Sequence, residues 1–230
     1  NYPNLIAIPY AKTLNEKDPQ RKDHQRVCLE MMLSFNASVC LANYYHYKTA
    51  EEGKDAKISQ ALPDLPSDPK LHFDLGMMSI GKWNQITRDT ASVLFDATSK
   101  GKDNDFLVAD IGSMYRNKGS VWNKNVNTLI SSRNQDAHGQ IISDEALEGE
   151  LKNRQKMLDQ LMKEMSFYAD YKLIVPIDDE VKEGVLVHIC KDLSGSGDGV
   201  IELSDETLKT ELDRYGTYLY NTKKKTCLAL

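Results

Sequence analysis

A mainly helical domain with a small antiparallel β region appended to it, an α+β class, is what the sequence predicts. Two patterns carry that expectation. Apolar residues recur at helical spacing through long stretches between residues 21 and 168. Near Tyr171 the pattern changes to period-two alternation with β-branched residues. The expected division is a helical domain over 1–170 and a β-rich extension over 171–230.

Taken in order, residues 1–14 hold the run Leu5-Ile6-Ala7-Ile8 followed by Pro9-Tyr10, which reads as an extended arm too short for a helix of its own. From about Arg21 to Tyr47, Val27, Met31, Leu33, Ala37, Val39, Cys40, Leu41 and Tyr44 make a broad apolar face. Residues 50–74 are a charged connection carrying Pro63, Pro66 and Pro69. A second helix follows from about Ser79 to Thr98, with Trp83 expected as a core anchor. Phe106 to Tyr115 reads as a third helix, and Val121 to His138 as a fourth with Val121, Trp122, Val126, Leu129 and Ile130 inward. Ser143-Asp144-Glu145 caps a fifth helix running to about Tyr168, whose methionines read as core filler.

In the extension, Lys172 to Pro176 and Gly184 to Cys190 read as strands joined by an acidic turn. The loop Ser194-Gly195-Ser196-Gly197-Asp198-Gly199 lacks the spacing and lysine of a phosphate-binding loop, so a hairpin turn is expected. Tyr215 to Tyr220 and Thr226 to Leu230 look like two more strands around a Lys-rich turn.

Composition limits the function. A net charge of −5 supplies no whole-protein basic field, so any nucleic-acid contact must be local. Cys28, Cys40, Cys190 and Cys227 form no C-x-x-C pair, and the histidines show no ligand spacing. Reduced thiols are expected, with no metal and no cofactor. The apolar runs are too short to cross a bilayer, so no membrane partner and a cytoplasmic location are expected. The absence of an initiating methionine and of a signal-like segment suggests a piece of a longer chain. Cys227-Leu228-Ala229-Leu230 fits a prenylation pattern, for which an ordinary strand is the stronger reading.

One stretch carries chemistry: Arg133-Asn134-Gln135-Asp136-Ala137-His138-Gly139, at the end of the fourth helix. Arginine stays charged at any accessible pH and grips phosphate oxygens as a bidentate fork. Histidine titrates near neutrality and gives or takes a proton. The pair suits phosphodiester chemistry without a metal. On a continuous helix Arg133 and His138 lie ~140° apart, while Asn134 and His138 share a face. Gly139 is a plausible stop for the helix. The competing reading has Arg133 on a solvated face and His138 as a helix-end cation facing the dipole.

Arg133, Asn134, three intervening residues and His138 resemble the R-N-x-x-x-H signature of the HEPN superfamily, small α-helical domains that include many metal-independent ribonucleases. The order of elements adds to the likeness: a Pro-containing arm, a long helix, the segment Met78-Ser79-Ile80-Gly81-Lys82-Trp83, then the motif helix. It looks like the HEPN-like modules at the N-termini of larger bacterial signalling and defence proteins. The resemblance implies a homodimer in which the motif helices meet, and RNA as the partner. It also implies cleavage of single-stranded RNA by attack of a 2′-hydroxyl on the adjacent phosphate. His138 would then move the proton, Arg133 would stabilise charge on the phosphoryl oxygens, and Asn134 would orient the ring or the phosphate. The alternative that the resemblance leaves open is a non-catalytic dimerisation or sensing module.

Overall fold

The computed structural model describes residues 2–15, 19–50, 57–60, 62, 78–98, 108–117, 119–137, 144–195, 199–208 and 211–230. Helix α1 spans Asn4–Thr13, α2 Arg21–Lys48, α3 Ile80–Ala97, α4 Val108–Arg116, α5 Val121–Ala137 and α6 Asp144–Glu164, followed by a 3-10 turn at Ser166–Asp170. Strands β1 (Tyr171–Lys182), β2 (Val185–Asp192), β3 (Gly199–Ser204), β4 (Tyr218–Asn221) and β5 (Thr226–Ala229) form one antiparallel sheet in the order β3-β2-β1-β4-β5. The class is α+β. The chain divides into two compact units, residues 1–28 with 162–230, and residues 29–161. That division follows packing, and it runs differently from a split at residue 170, where the secondary structure changes type.

In the first unit, the stretch expected as an extended arm is helix α1. Pro9 lies inside it and removes one backbone donor, which on local grounds argues against a helix. Docking overrides that cost. Ile6 is fully buried, Asn4 N–H donates to the Leu193 carbonyl at 2.8 Å, and Gly195 N–H donates to the Tyr2 carbonyl at 2.6 Å. The Tyr2 hydroxyl donates to the Met162 carbonyl at 2.7 Å. A ten-residue helix gains its stability here from burial rather than propensity.

The same unit holds the sheet. Glu183 and Gly184 both take positive φ, 52° and 84°, the pattern of a two-residue hairpin turn. That turn sets the register: Lys182 faces Val185, Val181 faces Leu186, Glu180 faces Val187 and Asp179 faces His188. A bulge follows between Pro176 and Asp178, which is where a proline is tolerated in a central strand. The Pro176 carbonyl accepts from Tyr215 N–H at 2.9 Å. Strand β3, for which the sequence pattern predicts no element, pairs antiparallel with β2, while residues 196–198 of the Gly-Ser loop expected as a hairpin turn lie outside the described residues. Ile174, Cys190, Leu203, Tyr218, Tyr220 and Cys227 form the core over the sheet.

In the second unit, Ser79 caps α3 by accepting from Lys82 N–H at 3.2 Å. Helix α4 lies close against α3, because a Cβ on Gly112 would sit 2.7 Å from the Phe95 ring. Asn123, in the first turn of α5, donates its amide to the carbonyls of Tyr115 at 3.1 Å and Asn117 at 2.8 Å, closing the α4–α5 corner. Trp122 is fully buried beside the Tyr115 ring at 5.7 Å. Trp83, the expected anchor, is only half-buried, and Val121 is exposed because it opens the helix. Helices α5 and α6 are tied by Asn125 donating to Gln160 at 2.8 Å and Ser132 donating to Glu150 at 2.6 Å.

Helix α2 is the one described helix long and apolar enough, by length and composition, to cross a membrane, although no uninterrupted apolar run suggests it. Within its most apolar window 61% is buried inside the protein, as in a core helix. Asn36 and Asn43 are fully buried on it.

Candidate functional site

Arg133 and Asn134 of the motif sit near the C-terminal end of α5. Arg133 is half-buried and Asn134 is exposed. The Arg133 guanidinium donates to Asn134 Oδ1 at 3.3 Å, a long hydrogen bond, and it has no carboxylate partner among the described side chains. The helix C-terminus favours a cation electrostatically. His138 lies outside the described residues, as does Gly139, so the geometry joins only Arg133 and Asn134 of the expected set.

What holds that turn is visible next to it. Ser132, one residue before the motif arginine, donates its hydroxyl to Glu150 Oε1 on α6 at 2.6 Å. Glu150 also accepts from Arg154 one turn further along, through Nε at 3.1 Å and through a second guanidinium nitrogen. The Arg154 side chain is 7% exposed and that of Glu150 33%. A buried guanidinium thus fixes the carboxylate, and the carboxylate fixes the last turn of α5. Arg154 is buried and bonded to Glu150, whereas Arg133 meets only the Asn134 amide among the described side chains.

A second polar cluster, which sequence reading missed, lies in the sheet unit. His188 on β2 has a side chain 6% exposed, with Nδ1 at 2.6 Å from Asp179 Oδ1 and Nε2 at 2.7 Å from Asp205 Oδ1. Asp179 is its cross-strand partner on β1, and Asp205 stands just beyond β3. Burial alone would hold the imidazole down. The two carboxylates outweigh it, so the pKa rises above its ordinary 6.5. With a carboxylate on each nitrogen, the ring ties β2 to β1 and to the turn after β3. Neither nitrogen is left to accept a proton from a substrate, so this histidine is a structural clamp rather than a general base. The Glu183-Gly184 turn was the available signal, since counting back from it pairs Asp179 with His188.

The four cysteines are buried and form no disulfide with one another. Burial, with the Asp179 carboxylate second, pushes Cys190 up to about 11, and burial, with Cys190 second, pushes Cys227 up to about 12. Cys227 is inside the sheet core on β5, which places the prenylation pattern in an ordinary strand. Among the described residues no group of three or more histidine, cysteine or acidic side chains is arranged to hold a metal ion.

Compared with protein-family models, with characterised proteins and with solved structures, the chain matches none.

Proposed function

We propose that the chain is a HEPN-like module acting as a metal-independent endoribonuclease on single-stranded RNA, with a site assembled from two copies of the chain. The observation that carries this reading is Arg133. It is a fixed cation, half-buried at a helix end, bonded only to the amide of Asn134 among the described side chains. Arg154, by contrast, is buried and held by Glu150. A guanidinium with no carboxylate on it among the described side chains is suited to gripping phosphate oxygens as charge builds on them.

The reaction needs three things from the protein. Arg133 stabilises the phosphoryl oxygens while the 2′-hydroxyl attacks the neighbouring phosphorus. His138 moves a proton between the attacking and leaving oxygens. Asn134 orients the phosphate or the ring. On an unbroken helix Arg133 and His138 diverge by ~140°, so one chain does not readily aim both at one phosphate. A two-fold axis beside the end of α5 brings Arg133 of one chain to His138 of the other. The product ends are a 2′,3′-cyclic phosphate and a 5′-hydroxyl.

The test is cleavage of end-labelled single-stranded RNA in excess EDTA, beside an all-2′-deoxy strand of the same sequence. Cleavage of the RNA alone, lost in Arg133→Ala, supports the reading. Cutting of both strands, or activity abolished by EDTA, refutes it. A dimer that never cuts RNA supports the non-catalytic dimerisation or sensing role instead. The acidic net charge of −5 is the observation favouring that second reading.

A further inference from the structure

Away from the end of α5, a cavity of about 290 Å³ opens between α3 and α4, lined by Arg88, Asp89, Ser92, Gly112, Tyr115 and Arg116. We propose that this cavity is a binding site for a terminal phosphate group on a small sugar or nucleotide body. The inference is independent of the ribonuclease reading.

Two guanidinium groups reach the cavity from different helices, Arg88 from α3 and Arg116 from the last turn of α4. Each spends little of its donor capacity within the protein. Arg88 Nε meets Asp89 Oδ1 at 3.1 Å, and Arg116 meets Asp96 Oδ1 at 2.8 Å through one terminal nitrogen. A guanidinium carries five N–H donors, so most of the fork on each remains for a ligand. Arg116 is also positioned in advance, because its guanidinium lies over the Phe95 ring at 4.7 Å from the centroid. Phe95 in turn is pressed against Gly112, the only residue type that lets the ring sit there, since a Cβ would come to 2.7 Å. The glycine therefore sets both the width of the cavity and the place of one cation.

The guanidinium donors at the cavity select the ligand class. The charges of Arg88 and Arg116 are offset by Asp89 and by Asp96, so the selection rests on the donors each fork has left rather than on net charge. Two forks from two different helices suit a tetrahedral dianion better than a planar carboxylate, which one fork satisfies. Asp89 keeps an oxygen that can accept from a hydroxyl on the ligand body. Ser92 adds a hydroxyl, and Tyr115 gives a buried aromatic wall. The volume lies at the small end of ligand pockets, roughly 300 Å³ and upward, which fits a phosphorylated sugar or a mononucleotide.

The phosphate has two possible sources, a free metabolite or the 5′ end of an RNA strand, and the test separates them. Ribose 5-phosphate, ribose, and a short single-stranded RNA with and without a 5′-phosphate are titrated by calorimetry against the full chain, Arg88→Gln and Arg116→Gln. Circular dichroism verifies the fold of each variant. The expected result is saturable binding of ribose 5-phosphate, none of ribose, and at least tenfold weaker binding in each variant. If the strand binds more tightly with its 5′-phosphate than without, and loses that gain in Arg88→Gln, the RNA end is the source. Binding of ribose 5-phosphate alone makes a metabolite the source. Should Arg116→Gln fail to fold, the exposed Arg88→Gln decides by itself. Absence of saturable binding by every phosphate probe overturns the proposal. So does binding that Arg88→Gln leaves unchanged.

Discussion

The Ser132 hydroxyl donates to Glu150 Oε1 at 2.6 Å, joining the turn before the motif arginine to a carboxylate already held by the buried Arg154. This link makes the end of α5 depend on α6. Replacing Glu150 with Ala removes the acceptor for both donors and is expected to cost about 1–3 kcal/mol, the range for breaking a partly buried charged hydrogen bond. Glu150→Gln keeps an oxygen for Ser132 and is expected to cost less. Urea unfolding of the two variants checks the order. Equal midpoints for wild type and Glu150→Ala would show that the link carries no stability.

The His188 clamp gives a pH dependence with a definite sign. Its pKa is raised in the folded chain, so the stability it contributes is fully present below its ordinary value of 6.5 and is lost as pH rises through the raised value. The groups facing the ring are Asp179 from β1 and Asp205 from the turn after β3. Urea midpoints from about pH 6 to about pH 9 are expected to fall more in wild type than in His188→Gln. At the acid end of that range His188→Gln is expected to be less stable by about 1–3 kcal/mol. Parallel pH profiles would mean the ring does not carry the charge.

The β1–β2 turn contains a correctable strain. Glu183 holds φ 52°, a left-handed conformation that costs an ordinary residue about 1–2 kcal/mol. Asparagine tolerates that region better. Glu183→Asn is expected to raise stability by about 0.5–1 kcal/mol, read from the shift in thermal midpoint. A lower midpoint would mean that the Glu183 side chain contributes more than the backbone strain removes.

Much of the secondary structure was legible because its causes are local. The apolar spacing of α2, α3, α5 and α6 and the Lys-rich turn before β5 follow from residues close in sequence. Helix α1 was not legible, since Pro9 argues against it and what holds it is Leu193 and Met162, far along the chain. Strand β3 was hidden for a related reason. Val200-Ile201-Glu202-Leu203 is short and follows a glycine-rich loop, and only pairing with β2 defines it. Of the candidate site, Arg133 and Asn134 could be picked out by residue type. Glu150 and Arg154 could not, because nothing in a helix's own sequence says which carboxylate will meet the neighbouring helix.

The proposed shared site is tested most directly by mixing two inactive proteins. Arg133→Ala and His138→Ala chains are each shown to lack EDTA-resistant cleavage of single-stranded RNA, then combined, with subunit exchange verified by native mass spectrometry. A heterodimer with a site in trans keeps one intact pair, Arg133 from one chain and His138 from the other. With random exchange about half the dimers are mixed, and each carries one of two sites, so the mixture is expected to recover roughly a quarter of wild-type activity. An exchanged mixture that stays inactive, while wild type cuts RNA under the same conditions, would contradict the account.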